Sequence, residues 1–130
     1  MILFDTDICI EILRGNKKIL KRRSEYPGEV GITFMTVAEL FYGAENSAYA
    51  TENRLLVERF ILSILVVHTD ISILKRFGAI KADLKKESQL LPDADIFIAS
   101  TTLEKAEALI TGNTKHFERI GGLKINNWLK

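Results

Sequence analysis

The sequence predicts an α/β fold in which a parallel sheet of about five strands carries helices on both of its faces. Two observations predict it: short apolar, β-branched runs recur along the 130 residues, and amphipathic helical patterns separate them. Strands that alternate with helices form βαβ units, which build parallel sheets covered on both faces. No linker or repeat divides the chain, and 47% of its residues are hydrophobic. Residues 1–130 are therefore expected to form a single domain.

Five runs are predicted as short buried strands because they are apolar and rich in β-branched residues. They are residues 2–4, 30–33, 64–67, 108–111 and 123–125. Helices are predicted at residues 7–13, 17–23, 37–43, 51–62, 71–90 and 93–105. Binding sites of such sheets lie beyond the carboxyl ends of the strands, so functional residues are sought at those ends.

The composition restricts the class of protein. Lys and Arg number 18 against 17 Asp and Glu, and the net charge of +1 means that any nucleic-acid site is a local patch. Cys9 is the only cysteine, which excludes a disulfide within the chain and fits a reducing compartment. The chain reaches Asp5 too early for a secretory leader, and its longest apolar run, residues 60–67, is far shorter than the ~20 residues that cross a bilayer. A cytoplasmic protein without membrane association is expected.

Two aspartates follow the first predicted strand. Asp5 comes directly after it and should lie at the carboxyl edge of the sheet, and Asp7 is two residues further on. Helix capping is the alternative role for both, since Asp is favoured at the N-cap and in the first turn. The position of Asp7 fits capping better than that of Asp5.

Glu39 follows the second predicted strand. The segment from Thr36 to Glu39 also matches a capping box, in which Ser or Thr is followed three residues later by Glu. Gly43 lies four residues after Glu39 on the same helical face, where the lack of a side chain clears space beside the carboxylate. That space favours a functional role for Glu39.

Two further aspartates, Asp93 and Asp95, begin the sixth predicted helix. At about 100° per residue, Asp95 shares the inward face with Ile98, Ala99 and Thr102, whereas Asp93 points away from it, beside Phe97, Ser100 and Glu104. A carboxylate on the inward face loses hydration unless a cation or hydrogen bonds compensate. Asp95 is therefore the functional candidate, and Asp93 is explained as a helix-start residue.

Asp5, Glu39 and Asp95 come from three segments that the predicted topology can bring to one edge of the sheet. Like charges that meet there repel unless a cation neutralises them. Mg²⁺ or Mn²⁺ is the economical choice, because such hard ions take a few carboxylate oxygens and retain several waters. With no partnered histidine, cysteine or serine nucleophile in the sequence pattern, the three acids indicate metal-assisted hydrolysis of a phosphodiester.

Four blocks of the sequence resemble, in order and spacing, the motifs of PIN-domain ribonucleases of the VapC toxin type. They are LFDTDICIEILRG, TFMTVAELFYGAENS, PDADIFIASTTLE and ALITGNTKHFERIGGLKINNW, and together they span nearly the whole chain. The resemblance implies a three-layer α/β/α domain, usually dimeric, that uses Mg²⁺ or Mn²⁺ to cut RNA endonucleolytically and is paired with an antitoxin that occludes the active site. It implies a structured RNA substrate such as a transfer RNA anticodon stem-loop. Because other relatives cut ribosomal RNA, the sequence leaves both kinds of RNA open.

The resemblance assigns the same three acids: the first aspartate of the family falls on Asp5, the glutamate of its Glu-Leu-x-x-Gly motif on Glu39, and the aspartate before its Ile-Ala on Asp95. Many relatives carry another acid or polar residue where Asn113 stands here, and Asn113 is expected to hold a water or phosphate or to cap the following helix. The remaining candidates for contact with the substrate or for support of the site are Thr6, Thr111, Lys115 and Arg119, and His116 is a further candidate for contact with a substrate phosphate.

Two other functions fit part of the pattern. The segment FDTDIC partly resembles the start of haloacid-dehalogenase-type phosphatases, in which the first aspartate is the nucleophile and the second the general acid. Against it, 130 residues are few for that fold. The third possibility is a binding module without catalysis, whose acids only recruit a partner.

Overall fold

The structure is a computed structural model that describes all 130 residues as five strands and seven helices. The strands are β1 (Ile2–Phe4), β2 (Val30–Thr33), β3 (Leu65–Val67), β4 (Ala108–Ile110) and β5 (Ile125–Asn126). The helices are α1 (Thr6–Leu13), α2 (Lys17–Glu25), α3 (Phe34–Glu45), α4 (Ala50–Leu62), α5 (Ile71–Lys86), α6 (Asp93–Lys105) and α7 (Thr114–Phe117). No helix is long and apolar enough to cross a membrane.

The five strands form one sheet in the order β3-β2-β1-β4-β5, and every neighbouring pair is parallel. The chain runs outward from β1 through β2 to β3 and then returns across the sheet to β4, on the other side of β1. The strand order therefore reverses between β1 and β4, and ligands of open α/β sheets bind at such a point.

The sheet separates two hydrophobic cores, because side chains of a strand alternate between its faces. In β1, Ile2 and Phe4 enter the core that contains the buried residues of α1 to α4, whereas Leu3 enters the core with those of α5, α6 and α7. The predicted three-layer α/β/α architecture with five parallel strands is confirmed.

Several element boundaries differ from the predicted ones. Helix α3 begins at Phe34 rather than at residue 37, since the Thr33 side chain accepts the Thr36 N–H and acts as the cap. Helix α5 ends at Lys86 instead of near residue 90, just before Ser88 adopts a φ of 56°. Strand β5 lies at Ile125–Asn126 rather than at 123–125. The prediction that all strands are buried is wrong for β3, an edge strand whose Leu65 is 43% exposed.

Candidate active site

Asp5 occupies the carboxyl end of β1 at the point where the strand order reverses. Its side chain is buried, with Oδ1 accepting the Thr6 N–H at 2.8 Å and Oδ2 accepting the Thr111 hydroxyl at 2.7 Å. Thr111 follows β4, so the two central strands meet at this carboxylate. Burial, followed by the negative charges of Asp7 and Asp95, raises the pKa of Asp5 to about 7, although the two hydrogen bonds act in the opposite direction.

Asp7 reaches across to the chain segment that follows β4. Its Oδ2 accepts the Gly112 N–H at 2.8 Å, while its buried Oδ1 has no hydrogen-bond partner. Burial raises the pKa of Asp7 above its ordinary value, and the charge of Asp95 adds to the effect. The prediction that Asp7 serves as the cap is wrong, because Asp5 is the N-cap residue of α1.

Gly112 makes this approach of Asp7 possible. A Cβ on Gly112 would lie 2.8 Å from Asp7 Oδ2 and 2.6 Å from Leu129 Cδ1, which is closer than real Cβ contacts come. Any larger residue would therefore have to displace the Asp7 carboxylate and the end of the Leu129 side chain. Glycine is required here by space, since its φ is not positive.

Glu39 joins the same edge of the sheet from α3. The Thr6 hydroxyl donates to Glu39 Oε1 at 2.7 Å, and it also lies 3.1 Å from the Thr36 hydroxyl. The capping-box interpretation is wrong, because the helix is capped by Thr33 and the Glu39 carboxylate points to α1 instead. Thr6 therefore links two acids, through its N–H to Asp5 and through its hydroxyl to Glu39.

The space predicted beside Glu39 exists in the structure. A Cβ on Gly43 would meet nothing within 4 Å, so the glycine leaves open volume. Gly43 and Glu39 line a groove of about 350 Å³ between α1, α3 and α4, whose apolar lining includes Ile10, Leu13 and Leu56.

The neighbouring acids at the start of α6 have different surroundings. Asp93 has a 57% exposed side chain that binds the Lys81 ammonium group at 2.9 Å, whereas the side chain of Asp95 is 17% exposed and faces the His116 ring. The predicted orientations of the two acids agree with these contacts. The position of Ser100 does not agree with the prediction. It was placed beside Asp93, on the side of α6 away from the inward face, but it is fully buried.

His116 and Asn113 connect Asp95 with the segment that follows β4. The Asn113 N–H donates to the Thr111 hydroxyl at 2.9 Å, and its side-chain amide lies 2.8 Å from His116 Nδ1. The same Nδ1 atom lies 2.9 Å from Asp95 Oδ2. Asn113 is the N-cap residue of α7, but its side chain makes no capping hydrogen bond. The capping role considered for that side chain is therefore wrong.

The two other cationic residues expected near the site, Lys115 and Arg119, differ in how free their side chains are to contact a phosphate. Lys115 is exposed on α7 and takes part in no ion pair. Arg119 donates to the carbonyl oxygens of Gln89 and Leu90 at 3.5 and 3.3 Å, so its guanidinium contacts the loop between α5 and α6. Lys115 is thus the freer of the two to contact a phosphate.

The composition of the site suits a hard divalent cation. Asp5, Asp7 and Glu39 form no ion pair with Lys or Arg. The partnerless Asp7 Oδ1 is the kind of buried atom that requires a proton or a cation. No three acidic, histidine or cysteine side chains lie close enough together to hold a metal ion as a group. An ion that keeps most of its waters needs only one or two direct carboxylates, so this open arrangement fits Mg²⁺ or Mn²⁺.

Comparison with known protein families decides the relationship of the chain. The PIN domain family matches residues 2–123, nearly the full length and including every acid of the site. The chain belongs to the PIN domain family.

Its similarity to curated relatives places it among the VapC ribonucleases. It is 33% identical over 128 residues to ribonuclease VapC2 of Haemophilus influenzae, covering 98% of this chain and 97% of that protein. It is 31% identical over 127 residues to the tRNA(fMet)-specific endonuclease VapC of Shigella flexneri, with 97% and 96% covered.

Solved structures agree with this PIN domain assignment. The DNA-bound VapBC complex of Salmonella typhimurium contains a chain that superposes with a TM-score of 0.91 at 30% identity, covering 98% of this chain and 97% of that one. A chain of VapBC-1 from nontypeable Haemophilus influenzae gives a TM-score of 0.88 at 30% identity over 100% of both chains. Membership in the PIN domain family argues against the phosphatase alternative. Asp7, which would be the general acid of such a phosphatase, instead accepts a hydrogen bond from the Gly112 N–H.

Two residues of the PIN domain site were not predicted in their observed places. Asp7 was interpreted as a cap and His116 as a phosphate contact, but both lie within the acidic edge. The signal that could have predicted the contact of Asp7 is Gly112, which comes directly after Thr111 and the fourth strand. A glycine at that position allows another side chain to approach the backbone closely. The pairing of His116 with Asp95 had no local signal, since 21 residues separate them.

Proposed function

We propose that residues 1–130 act as a single-domain, metal-dependent endoribonuclease, the toxin of a toxin-antitoxin pair, with Asp5, Glu39 and Asp95 as its catalytic acids. The observation that carries the proposal is the meeting of acids beyond β1 and β4 without a Lys or Arg to balance them. Such an uncompensated cluster is stable only when protons or a cation reduce its charge.

Each acid has a role that follows from its contacts. Asp5 and Asp95 are the principal ligands of Mg²⁺ or Mn²⁺, and Glu39 binds the ion directly or through a water and orients the attacking water. When bound, the ion polarises water and stabilises the charge that develops on the phosphodiester. Thr6 and Thr111 hold the two oxygens of Asp5 in place. Lys115 is suitably free to contact a substrate phosphate.

The substrate proposed is a structured RNA. Two relatives are named tRNA(fMet)-specific endonucleases, at 31% and 29% identity, which makes a transfer RNA anticodon stem-loop the first candidate. The net charge of +1 leaves only local phosphate contacts, so recognition depends on RNA shape and a few bases near the cut. We propose that the protein acts in the cytoplasm, where transfer RNAs take part in translation.

The partner proposed is an antitoxin protein. The similar VapBC structures are toxin-antitoxin assemblies, two of them bound to DNA. We place an apolar antitoxin segment in the groove that Glu39 lines, because an occupant there would lie against one of the three proposed catalytic acids. A homodimer of the toxin is the proposed assembly. Co-purification with the product of the adjacent gene tests the partner, and Leu56→Glu should abolish the association while RNA cleavage is retained.

The decisive experiment compares Asp5→Asn with Asp93→Asn in purified protein free of antitoxin. Cleavage of total transfer RNA with Mg²⁺ or Mn²⁺ should require the wild-type Asp5 and should persist in Asp93→Asn. Sequencing the fresh 5′ ends would identify the RNA and the position of the cut. Full activity of Asp5→Asn would overturn the assignment, and metal binding without cleavage of any RNA would favour the binding-module alternative.

A further inference from the structure

His116 places a nitrogen atom in a site otherwise built of oxygen donors. Its Nδ1 is 2.9 Å from Asp95 Oδ2, and the ring is 36% exposed, so it is reachable from solvent. His116 lies on α7. The residue after it, Phe117, is fully buried and anchors the helix in the core formed with α5 and α6. The imidazole is therefore positioned by the fold and is not a loose surface side chain.

The Nδ1 atom has competing contacts. With a proton, Nδ1 donates to Asp95; without one, it offers a lone pair that the Asn113 amide approaches at 2.8 Å. An Nδ1 atom without a proton and an ionised Asp95 present lone pairs to each other, which is unfavourable unless a cation lies between them. Asp95 and His116 thus share a position suited to a proton or to a metal ion.

The observed separation is compatible with a shared ion. The Nδ1 atom of His116 and the Oδ2 atom of Asp95 are 2.9 Å apart, close enough for both atoms to bind one ion. A hydrogen bond has the same length, so the distance alone allows both arrangements. The chemical preference of the nitrogen decides which ion suits the metal-bound arrangement, because imidazole favours transition metals whereas Mg²⁺ prefers oxygen.

Resting on the proposed function, we propose that His116 is a direct nitrogen ligand of the catalytic metal, alongside Asp95, and that the site consequently prefers Mn²⁺ or a later transition metal over Mg²⁺. Asn113 then orients the ring before the ion binds and releases Nδ1 when it does. The preference belongs to His116 alone, because the acids of the site are all oxygen donors.

Two measurements that do not depend on activity test the proposal. The first is pulsed electron paramagnetic resonance of Mn²⁺-loaded protein with its affinity tag removed, which detects the ¹⁴N coupling of a directly bound imidazole. The chain contains only two histidines, so His68→Gln is the matched control. The coupling should remain in His68→Gln and disappear in His116→Gln.

The second measurement is calorimetric titration with Mn²⁺ and with Mg²⁺. In His116→Gln, the Mn²⁺ affinity should fall at least about 10-fold, and the Mg²⁺ affinity should change much less. His116→Glu, which supplies oxygen in place of nitrogen, should lower the ratio of Mn²⁺ to Mg²⁺ affinity while raising Mg²⁺ affinity above that of His116→Gln.

The outcomes separate this proposal from the function on which it rests. Mn²⁺ binding that depends on Asp5 but shows no ¹⁴N coupling, with the same metal preference in His116→Gln, would overturn the role of His116 and leave the metal-dependent nuclease intact. Failure of wild-type protein and Asp5→Asn alike to bind either ion would overturn both. Circular dichroism of each variant establishes that the fold is retained.

Discussion

The carboxylates at the carboxyl ends of β1 and β4 and those on the outer surface of α5 and α6 differ in how their charge is balanced. On the outer surface, Asp93 binds Lys81, Glu104 binds Arg76, and Asp70 binds Lys105. Lys105, with the Ser72 hydroxyl and the Ile73 N–H, holds the pKa of Asp70 well below its usual range. At the sheet edge, burial shifts the pKa of Asp5 in the opposite direction.

The difference indicates which acids are functional. Each of these three surface carboxylates already has a cation from the chain itself, so nothing further needs to bind to it. The acids of the sheet edge have hydrogen bonds, a partly exposed histidine and one partnerless oxygen, but no Lys or Arg. Their missing positive charge has to come from solution, as protons at low pH or as a divalent ion.

The largest expected effect is on catalysis and separates two aspartates that are two residues apart. Asp95→Asn should lower the rate of RNA cleavage at least about 100-fold, because it removes charge at the metal and phosphate. Asp93→Asn should leave the rate within about twofold, since Asp93 binds only Lys81. Single-turnover cleavage at saturating Mn²⁺ measures both, and equal rates would remove the distinction between the two regions.

The second effect concerns the stability of the metal-free protein as a function of pH. The folded pKa of Asp5, about 7, exceeds its ordinary value of 3.8, so the folded state binds the proton more tightly than the unfolded chain. Stability should therefore fall as the pH rises from about 4 to about 7, by on the order of a few kcal/mol. Thermal unfolding in a chelator at several pH values measures it.

Two controls connect this pH effect with the site. Asp5→Asn should weaken the dependence and raise the melting temperature at pH 8 in chelator, whereas Asp70→Asn, at the oppositely shifted surface acid, should not raise it. Mn²⁺ should stabilise the wild type at pH 8 more than Asp5→Asn. A melting temperature that rises between pH 5 and pH 7 in chelator would contradict the assigned burial of charge.

The third effect is smaller and concerns the space around Asp7. Gly112→Ala should destabilise the fold by about 1–3 kcal/mol, because the added Cβ meets Asp7 Oδ2 and Leu129. Gly121→Ala is the matched control, since its added Cβ meets nothing within 4 Å and its φ is not positive. Urea unfolding of the two variants measures the difference. Equal stabilities would show that the Asp7 and Leu129 side chains can move away from the added Cβ without loss of stability.

The smallest expected effect is that of a surface ion pair. Lys81→Met removes the partner of Asp93, and the pair is exposed on both sides. The free energy of unfolding should change by less than about 1 kcal/mol. A larger loss in urea unfolding would mean that the charge pairs of α5 and α6 hold the fold more strongly than their exposure indicates.

Much of the site could be predicted because its acids sit at positions that local patterns mark. Asp5 follows a strand directly, Glu39 has Gly43 one turn later, and Asp95 occupies the less exposed side of α6. The surroundings of these acids were less predictable. Thr33 replaced Thr36 as the cap of α3, and Asp5 replaced Asp7 as the N-cap residue of α1, because several polar residues competed for each cap and local sequence did not rank them.

The sequence by itself determined the alternation of strands and helices, the parallel sheet, and the three acids, because periodicity and motif spacing are properties of short segments. Only the tertiary structure decided the contacts of Asp7 and His116. Asp7 meets Gly112 across 105 residues, and His116 meets Asp95 across 21. The strand order that brings β4 beside β1 creates the first contact, and the packing of α7 against α6 creates the second. Both depend on how the helices pack on the two faces of the sheet, which no short segment encodes.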